Sequence, residues 1–222
     1  MKWVLTIMVA MVSLTSGRSQ LATFEFTGSF QNTTRNTPTS VAAGADSTSF
    51  DLVNLATKNI NNTTDNNWVV QNWNQGSSID STEYAYFRIS AESGFLLNLT
   101  QLNFQSSQGI VAGPDNAQVS LFINGSSTAS ASYAYSPTLD ASIPLPAFSW
   151  DFIDIQDATS AEFRFYGWNA SAAEGSLRYD QITAGGSVTP VPEPYEYGLI
   201  AVTGLLGYGI FNRRQAKKVN QV

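Results

Sequence analysis

Through most of its length the chain alternates apolar and polar residues with a period of two, the spacing of strands buried on one face. Thr23-Phe24-Glu25-Phe26-Thr27 sets Phe24 and Phe26 against Glu25. Glu83 to Ser90 sets Tyr84, Tyr86, Arg88 and Ser90 against Ala85, Phe87 and Ile89. From Phe95 to Gln105, Leu97, Leu99 and Gln101 alternate with Leu96, Asn98, Thr100, Leu102 and Phe104, and a change of phase near Gln101 predicts a bulge or bend. Ala117 to Asn124 runs into Asn124-Gly125, a strong hairpin-turn dipeptide. Ala161 to Trp168 buries Phe163 and Phe165 on one face, and Leu177 to Thr183 alternates Leu177, Tyr179 and Gln181 with Arg178, Asp180 and Ile182; Asn169 to Gly175 joins the two as a loop.

Weaker segments fill the intervals. Residues 28–49 are rich in Ser, Thr, Asn and Gly without periodicity and read as a long surface excursion. Phe50 to Val53 opens a short strand, while Thr48 to Ile60 has room for one or two helical turns. Asn59 to Asn67 holds five asparagines, too polar to bury, and reads as a loop. Trp68 to Trp73 is a strand or an aromatic-bearing loop; Thr128 to Tyr135 and a piece around Ile143 are edge-strand candidates. Eight to ten such strands define an all-β chain, an antiparallel β-sandwich of jelly-roll type.

Both ends break the pattern. Met1-Lys2 and the apolar run Trp3 to Leu14, followed by Thr15, Ser16 and Gly17, read as a signal-peptide helix over 1–19, cleaved after Gly17 or Ser19. An uncleaved anchor is the alternative. Residues 20–184 then form the exported domain and 185–190 a flexible linker. Val191-Pro192-Glu193-Pro194 is held extended by two prolines that lack backbone donors. Tyr197 to Phe211 carries no charge and is expected as a short transmembrane helix of roughly 22 Å at ~1.5 Å per residue. Spanning the bilayer needs flanking tyrosines at one interface and snorkelling arginines at the other. Arg213, Arg214, Lys217 and Lys218, within 212–218, are the cations that stop it and stay cytoplasmic. A plain membrane anchor is the competing reading; a core helix fits poorly, because glycines crowd the run and no polar face exists.

The order of Val191-Pro192-Glu193-Pro194, a glycine-rich apolar run and Arg213-Arg214 resembles the PEP-CTERM sorting signal of Gram-negative bacteria that make exopolysaccharide. The resemblance implies an exosortase as partner, Pro192, Glu193 and Pro194 as recognition residues, and the apolar run as a transient membrane tether. It covers 191–218, and Tyr195-Glu196-Tyr197 is bulkier than the small-residue start usual after the motif. The domain also resembles jelly-roll cargo found with such tails. The residues that match are Phe24, Phe26, Gly28, Phe163, Arg164, Tyr166, Gly167, Asn169, Ala170, Arg178, Asp180, Ile182 and Thr183. That family has no assigned activity.

Composition narrows the chemistry. The chain has no cysteine and no histidine, which removes disulfides, Ser-His and Cys-His nucleophile pairs and histidine-ligated metals. Between residues 19 and 190, Arg35, Lys58, Arg88, Arg164 and Arg178 stand against fifteen acidic side chains, a net charge of −10. Such a surface repels phosphate backbones, so no nucleic-acid partner is expected.

Few residues point to a site. Asp151, Asp154 and Asp157 read as a solvated acidic loop, with no calcium-loop pattern around them. Arg178 and Asp180 read as part of a structural charge ladder with Arg164 or Glu25. No cofactor is expected; calcium near Asp180 is the one metal left open. Trp68, Trp73, Trp150 and Trp168 either fill the core or form a platform for sugar rings, and Trp168, beside Gly167 and Asn169 at a strand end, is the candidate for glycan contact. Asn-x-Ser/Thr triplets at Asn32, Asn61, Asn62, Asn98, Asn124 and Asn169 reflect composition. No catalytic residue stands out. The expectation is an exported, non-catalytic structural or adhesive protein, tethered to the inner membrane and then passed to the cell surface or matrix, with exopolysaccharide as a partner. A polysaccharide-binding module and an extracellular hydrolase with a carboxylate pair are the alternatives.

Overall fold

The computed structural model describes residues 19–26, 37–57, 67–109, 112–139 and 145–191, together with Tyr208. In chain order the strands are β1 (Ser19–Phe24), β2 (Ser40–Val41), β3 (Ala45–Ser47), β4 (Asp51–Val53), β5 (Ala56–Thr57), β6 (Trp68–Gln71) and β7 (Tyr84–Ala91). They continue with β8 (Phe95–Gln108), β9 (Asn116–Ile123), β10 (Ala131–Tyr135), β11 (Ala147–Ala158), β12 (Ser160–Trp168) and β13 (Ser176–Pro190). Seven strands make one sheet in the order β11-β8-β13-β1-β2, with β6 on β13 and β5 on β6. Six make the other in the order β10-β9-β12-β7-β3, with β4 also on β7. All these pairings are antiparallel, and the two inner faces bury one aromatic core, as the alternation requires.

Phe50 is the centre of that core. Its ring meets Phe24, Phe26, Trp68, Phe87, Phe165 and Tyr179 at centroid distances of 4.9 to 6.0 Å. Residues from both sheets converge on it, so one side chain ties the layers together. Phe104, Phe148 and Tyr135 form a second knot at the β10 and β11 edges.

The predicted phase change in β8 is a real bulge. Gln101 pairs with Gly185 and Leu99 with Gly186, so Thr100 has no opposite number on β13, and the buried set moves from Leu97 and Leu99 to Leu102 and Phe104. The Asn124-Gly125 turn also forms, with φ of 53° and 72° and Ser126 N donating to Ile123 O at 3.0 Å. Positive φ at both central positions matches the twist of the flanking strands.

Other expectations change. Residues 51–53 and 56–57 are strands β4 and β5, so no helix lies over the described part of 48–60. The 28–49 excursion contributes β2 and β3 in its described part. Asn67 is buried, although its run is polar. Gly185 to Pro190, expected as a linker, continues β13 and pairs with β8 as far as Phe95, because the glycines let the strand step past the β8 bulge. Consecutive β12 and β13 lie in opposite sheets, joined across the end of the sandwich.

The acidic run of Asp151, Asp154 and Asp157 is strand β11, not a loop. Trp150 and Phe152 point inward, and the three aspartates are exposed along the outer edge of the seven-stranded sheet. Register shifts between Asp151 and Ile155 and between Ile155 and Ala158 hid the alternation. Charge and irregularity are how an open edge resists pairing with another chain, and exposed Ile153 sits among those charges. The piece around Ile143, residues 1–18 of the expected leader, and residues Pro192, Glu193, Pro194, Arg213, Arg214, Lys217 and Lys218 lie outside the described residues, while Ser19, expected as the leader's last residue, opens strand β1. Among the described residues no helix is long and apolar enough to cross a membrane.

Candidate functional site

Strand β12 turns Phe163, Phe165 and Gly167 inward and therefore presents Glu162, Arg164, Tyr166 and Trp168 on the outer face of the six-stranded sheet. Register on either side assembles their neighbours. Arg164 stands between Tyr86 of β7 and Ser120 of β9, and Glu162 between Arg88 and Phe122. Tyr166 faces Gln118, and Trp168 faces Asn116. Tyr84 completes the cluster, its ring 5.7 Å from both Tyr86 and Tyr166.

Charge holds this surface in place. Glu162 is nearly buried, and each of its oxygens serves a different guanidinium. Oε1 accepts from Arg164 Nε at 2.6 Å, while Oε2 accepts from Arg88 Nε at 3.0 Å and from Arg88 Nη2. Arg164 then lies over the Tyr84 ring at 4.7 Å and the Phe122 ring at 4.1 Å. Burial weighs against its charge, but hydrogen bonds to Glu162 and Tyr166 outweigh that, so its pKa is raised. Burial also raises the Tyr166 and Tyr86 phenols, with Asp51 and Glu162 adding to the effect at Tyr86. Tyr86 and Tyr166 are therefore neutral at physiological pH.

The Trp168 end is locked by loops. Asn169 adopts a φ of 61°, donates its backbone N–H to Gly76 O at 2.9 Å and its Nδ2 to Asp115 Oδ2 at 2.9 Å. Gln108 Nε2 holds the same loop through Pro114 O at 2.8 Å and Asp115 Oδ1 at 3.3 Å. Gly167, next to Trp168, is closely packed: a Cβ there would lie 3.0 Å from both Pro114 and Trp73.

Of the four candidate tryptophans, Trp168 reaches this face and is half-buried. Trp68, Trp73 and Trp150 are core residues. Trp68 stacks on Phe26, Trp73 donates Nε1–H to Val70 O at 2.9 Å, and Trp150 packs on Phe152. The expected charge ladder does not form. Arg178 lies in the seven-stranded sheet opposite Ser107 and Val69, and donates to Gly109 O at 3.1 Å. Arg164 is in the other sheet, paired with Glu162. Asp180 sits at the β13 bulge beside Glu25, a neighbour of like charge.

Sequence reading missed Tyr84, Tyr86, Asn116 and Gln118 as residues sharing this face with Trp168. Alternation had already set Tyr84 and Tyr86 on one side of their strand; which side faced outward, and which strands flanked it, was not local information. Chemically, the face offers aromatic surfaces for C–H groups and amides and a guanidinium for hydroxyls. Its central carboxylate, Glu162, is committed to two ion pairs, and a second, Asp51, stands opposite Tyr86 on the neighbouring β4. Among the described residues no group of three or more acidic side chains is placed to hold a metal.

Fold and face together define an antiparallel β-sandwich with an aromatic and amide outer surface. No protein-family model and no curated protein matches the sequence. Solved structures similar to the chain include a CBM4 module, at 12% identity over 63% of this chain and 87% of that one, with a TM-score of 0.42. The CBM22-1 xylan-binding domain from Paenibacillus barcinonensis Xyn10C is similar at 7% identity over 80% and 97% of the two chains, TM-score 0.41. A family 11 carbohydrate-binding module from Clostridium thermocellum, in complex with a β-1,3-1,4-mixed-linked tetrasaccharide, is similar at 14% identity over 75% and 96%, TM-score 0.35.

Proposed function

We propose that the protein is a non-catalytic polysaccharide-binding module displayed outside the cell, with the outer face of the six-stranded sheet as its contact surface. One observation carries this reading: Tyr84, Tyr86, Tyr166 and Trp168 converge there beside Asn116, Gln118 and Arg164. Sugar rings present C–H patches to aromatic faces and hydroxyls to amides, and a surface of that composition suits them. Ion pairing through Glu162 sets the rotamers in advance, which lowers the ordering cost of binding. In the same proposal the leader 1–19 exports the chain. The tail 191–218 presents Pro192, Glu193 and Pro194 to an exosortase, with Arg213, Arg214, Lys217 and Lys218 holding the tether. Cell surface or exopolysaccharide matrix is the destination.

A glycan array probed with the purified full chain tests the binding claim. Signal on a related group of polysaccharides, lost in Tyr84→Ala and Trp168→Ala, is the expected result. Uniformly blank spots would remove it.

A further inference from the structure

The outer face of the seven-stranded sheet is different in kind. Register lines up Ser149 of β11, Asn103 of β8, Thr183 of β13, Thr23 of β1 and Ser40 of β2 in one row across five strands. Where β13 shifts register between Tyr179 and Ile182, Gln181 is thrown outward and a hollow opens against β8 and β11. This groove of about 260 Å³ is lined by Asn103, Gln105, Ser149, Gln181, Thr183 and Ala147, with Phe104 and Phe148 beneath. Among the described residues no charged side chain lines it. Gln105 Oε1 is buried without a hydrogen-bond partner among them, so that amide gains by turning towards an incoming hydroxyl.

The geometry points to a second glycan site in this groove, taking a short stretch of uncharged polysaccharide, so that one molecule joins two separate chains. This rests on the polysaccharide-binding reading of the opposite face. Three amides and two hydroxyls supply donors and acceptors without a fixed charge, the chemistry of neutral sugar hydroxyls and not of phosphate, carboxylate or metal. A volume just under the ~300–1,000 Å³ of pockets for drug-sized ligands suits one or two sugar units held at a shallow site. Packed sheets stand about 10 Å apart and the two sites face away from each other, so a single straight glycan cannot occupy both. Occupying both makes the protein a cross-linker, with avidity towards a network that neither site has alone.

The test titrates the full chain with neutral hexasaccharides of glucose, xylose, mannose and galactose by calorimetry, and follows light scattering with the matching long polysaccharides. Wild type is expected to bind two oligosaccharides per molecule and to scatter with the polysaccharide. Ser149→Trp, which fills the groove from an exposed edge position, and Asn103→Ala, which only trims it, are each expected to weaken one site at least tenfold and abolish the scattering. Tyr84→Ala with Trp168→Ala should leave one site, in the groove, and also abolish scattering. A stoichiometry of one that the groove variants leave unchanged overturns the second site while the first face stands. A stoichiometry of one lost in the groove variants and kept in the face variants overturns the first face, and with it the cross-linker. No binding of any probe overturns both.

Discussion

Tyr84 and Tyr166 lie side by side across the β7–β12 ladder, their ring centroids 5.7 Å apart and their planes tilted by 54°. Tyr166 is nearly buried and Tyr84 is half-open, so the first supports the second. Replacing Tyr84 by Ala should therefore raise the dissociation constant for a bound glycan tenfold or more, about 1.4 kcal/mol, and leave the melting temperature close to wild type. Tyr166→Ala should lower both affinity and melting temperature. Equal melting losses in the two variants would contradict this division of roles.

Phe50 is the test of how the sheets are held together. Truncation to Ala removes a ring that touches both layers and should cost about 3–5 kcal/mol. Urea unfolding reads it as a fall in midpoint. A loss near that of a surface substitution would mean the surrounding rings close the gap.

Asn124 links the β9–β10 turn to the start of β12. Its Oδ1 accepts from Thr159 N at 2.8 Å, Thr159 Oγ1 at 2.9 Å and Ser160 N at 3.1 Å, and its φ is 53°. Asn124→Ala loses the acceptor and puts a Cβ residue unsuited to positive φ in the turn, at a cost of about 1–3 kcal/mol. Asn124→Gly keeps the backbone geometry and should fall between Ala and wild type. Asn124→Asp keeps an acceptor and should be the mildest. Any other ranking in chemical denaturation separates turn from side chain differently.

Asp180 predicts a pH dependence. Burial first, and the Glu25 charge second, raise its pKa above the ordinary aspartate value. Between that ordinary value and the raised one, the folded state binds more protons than the unfolded state, so stability falls as pH rises through the window. Asp180→Asn should raise the melting temperature near pH ~7 and give no gain below the unfolded value of about 3.9. Glu25→Gln should reproduce part of that gain. A shift of equal size at both pH values would point to packing instead of charge.

The tail makes the prediction about sorting. Deleting Pro192 to Pro194 should leave the full-length form in the inner membrane, seen by fractionation and mass spectrometry. An unchanged mature mass after the deletion would count against exosortase processing.

Strand positions in β7, β8, β9 and β12 were legible because alternation is written in neighbours two residues apart, and the turn at Asn124-Gly125 because positive φ favours those residue types. β11 was not, since two register shifts interrupt its alternation and its aspartates resemble a loop. β13 ran past its expected end because two glycines look flexible in a sequence, yet here let a strand cross a bulge. Trp168 was legible as a candidate from its place at a strand end; its partners were not.

Local pattern thus carried the all-β class and the aromatic character of the core. Pairing supplied the rest: which side of each strand meets the other sheet, and which residues share a row. Arg88 and Glu162 are 74 residues apart and meet through the β7–β12 ladder, and the groove at Asn103 and Thr183 exists because a bulge in one strand opens beside two others. Such contacts depend on burying both inner faces at once, an energy shared by the whole sandwich and therefore absent from any short stretch of the chain.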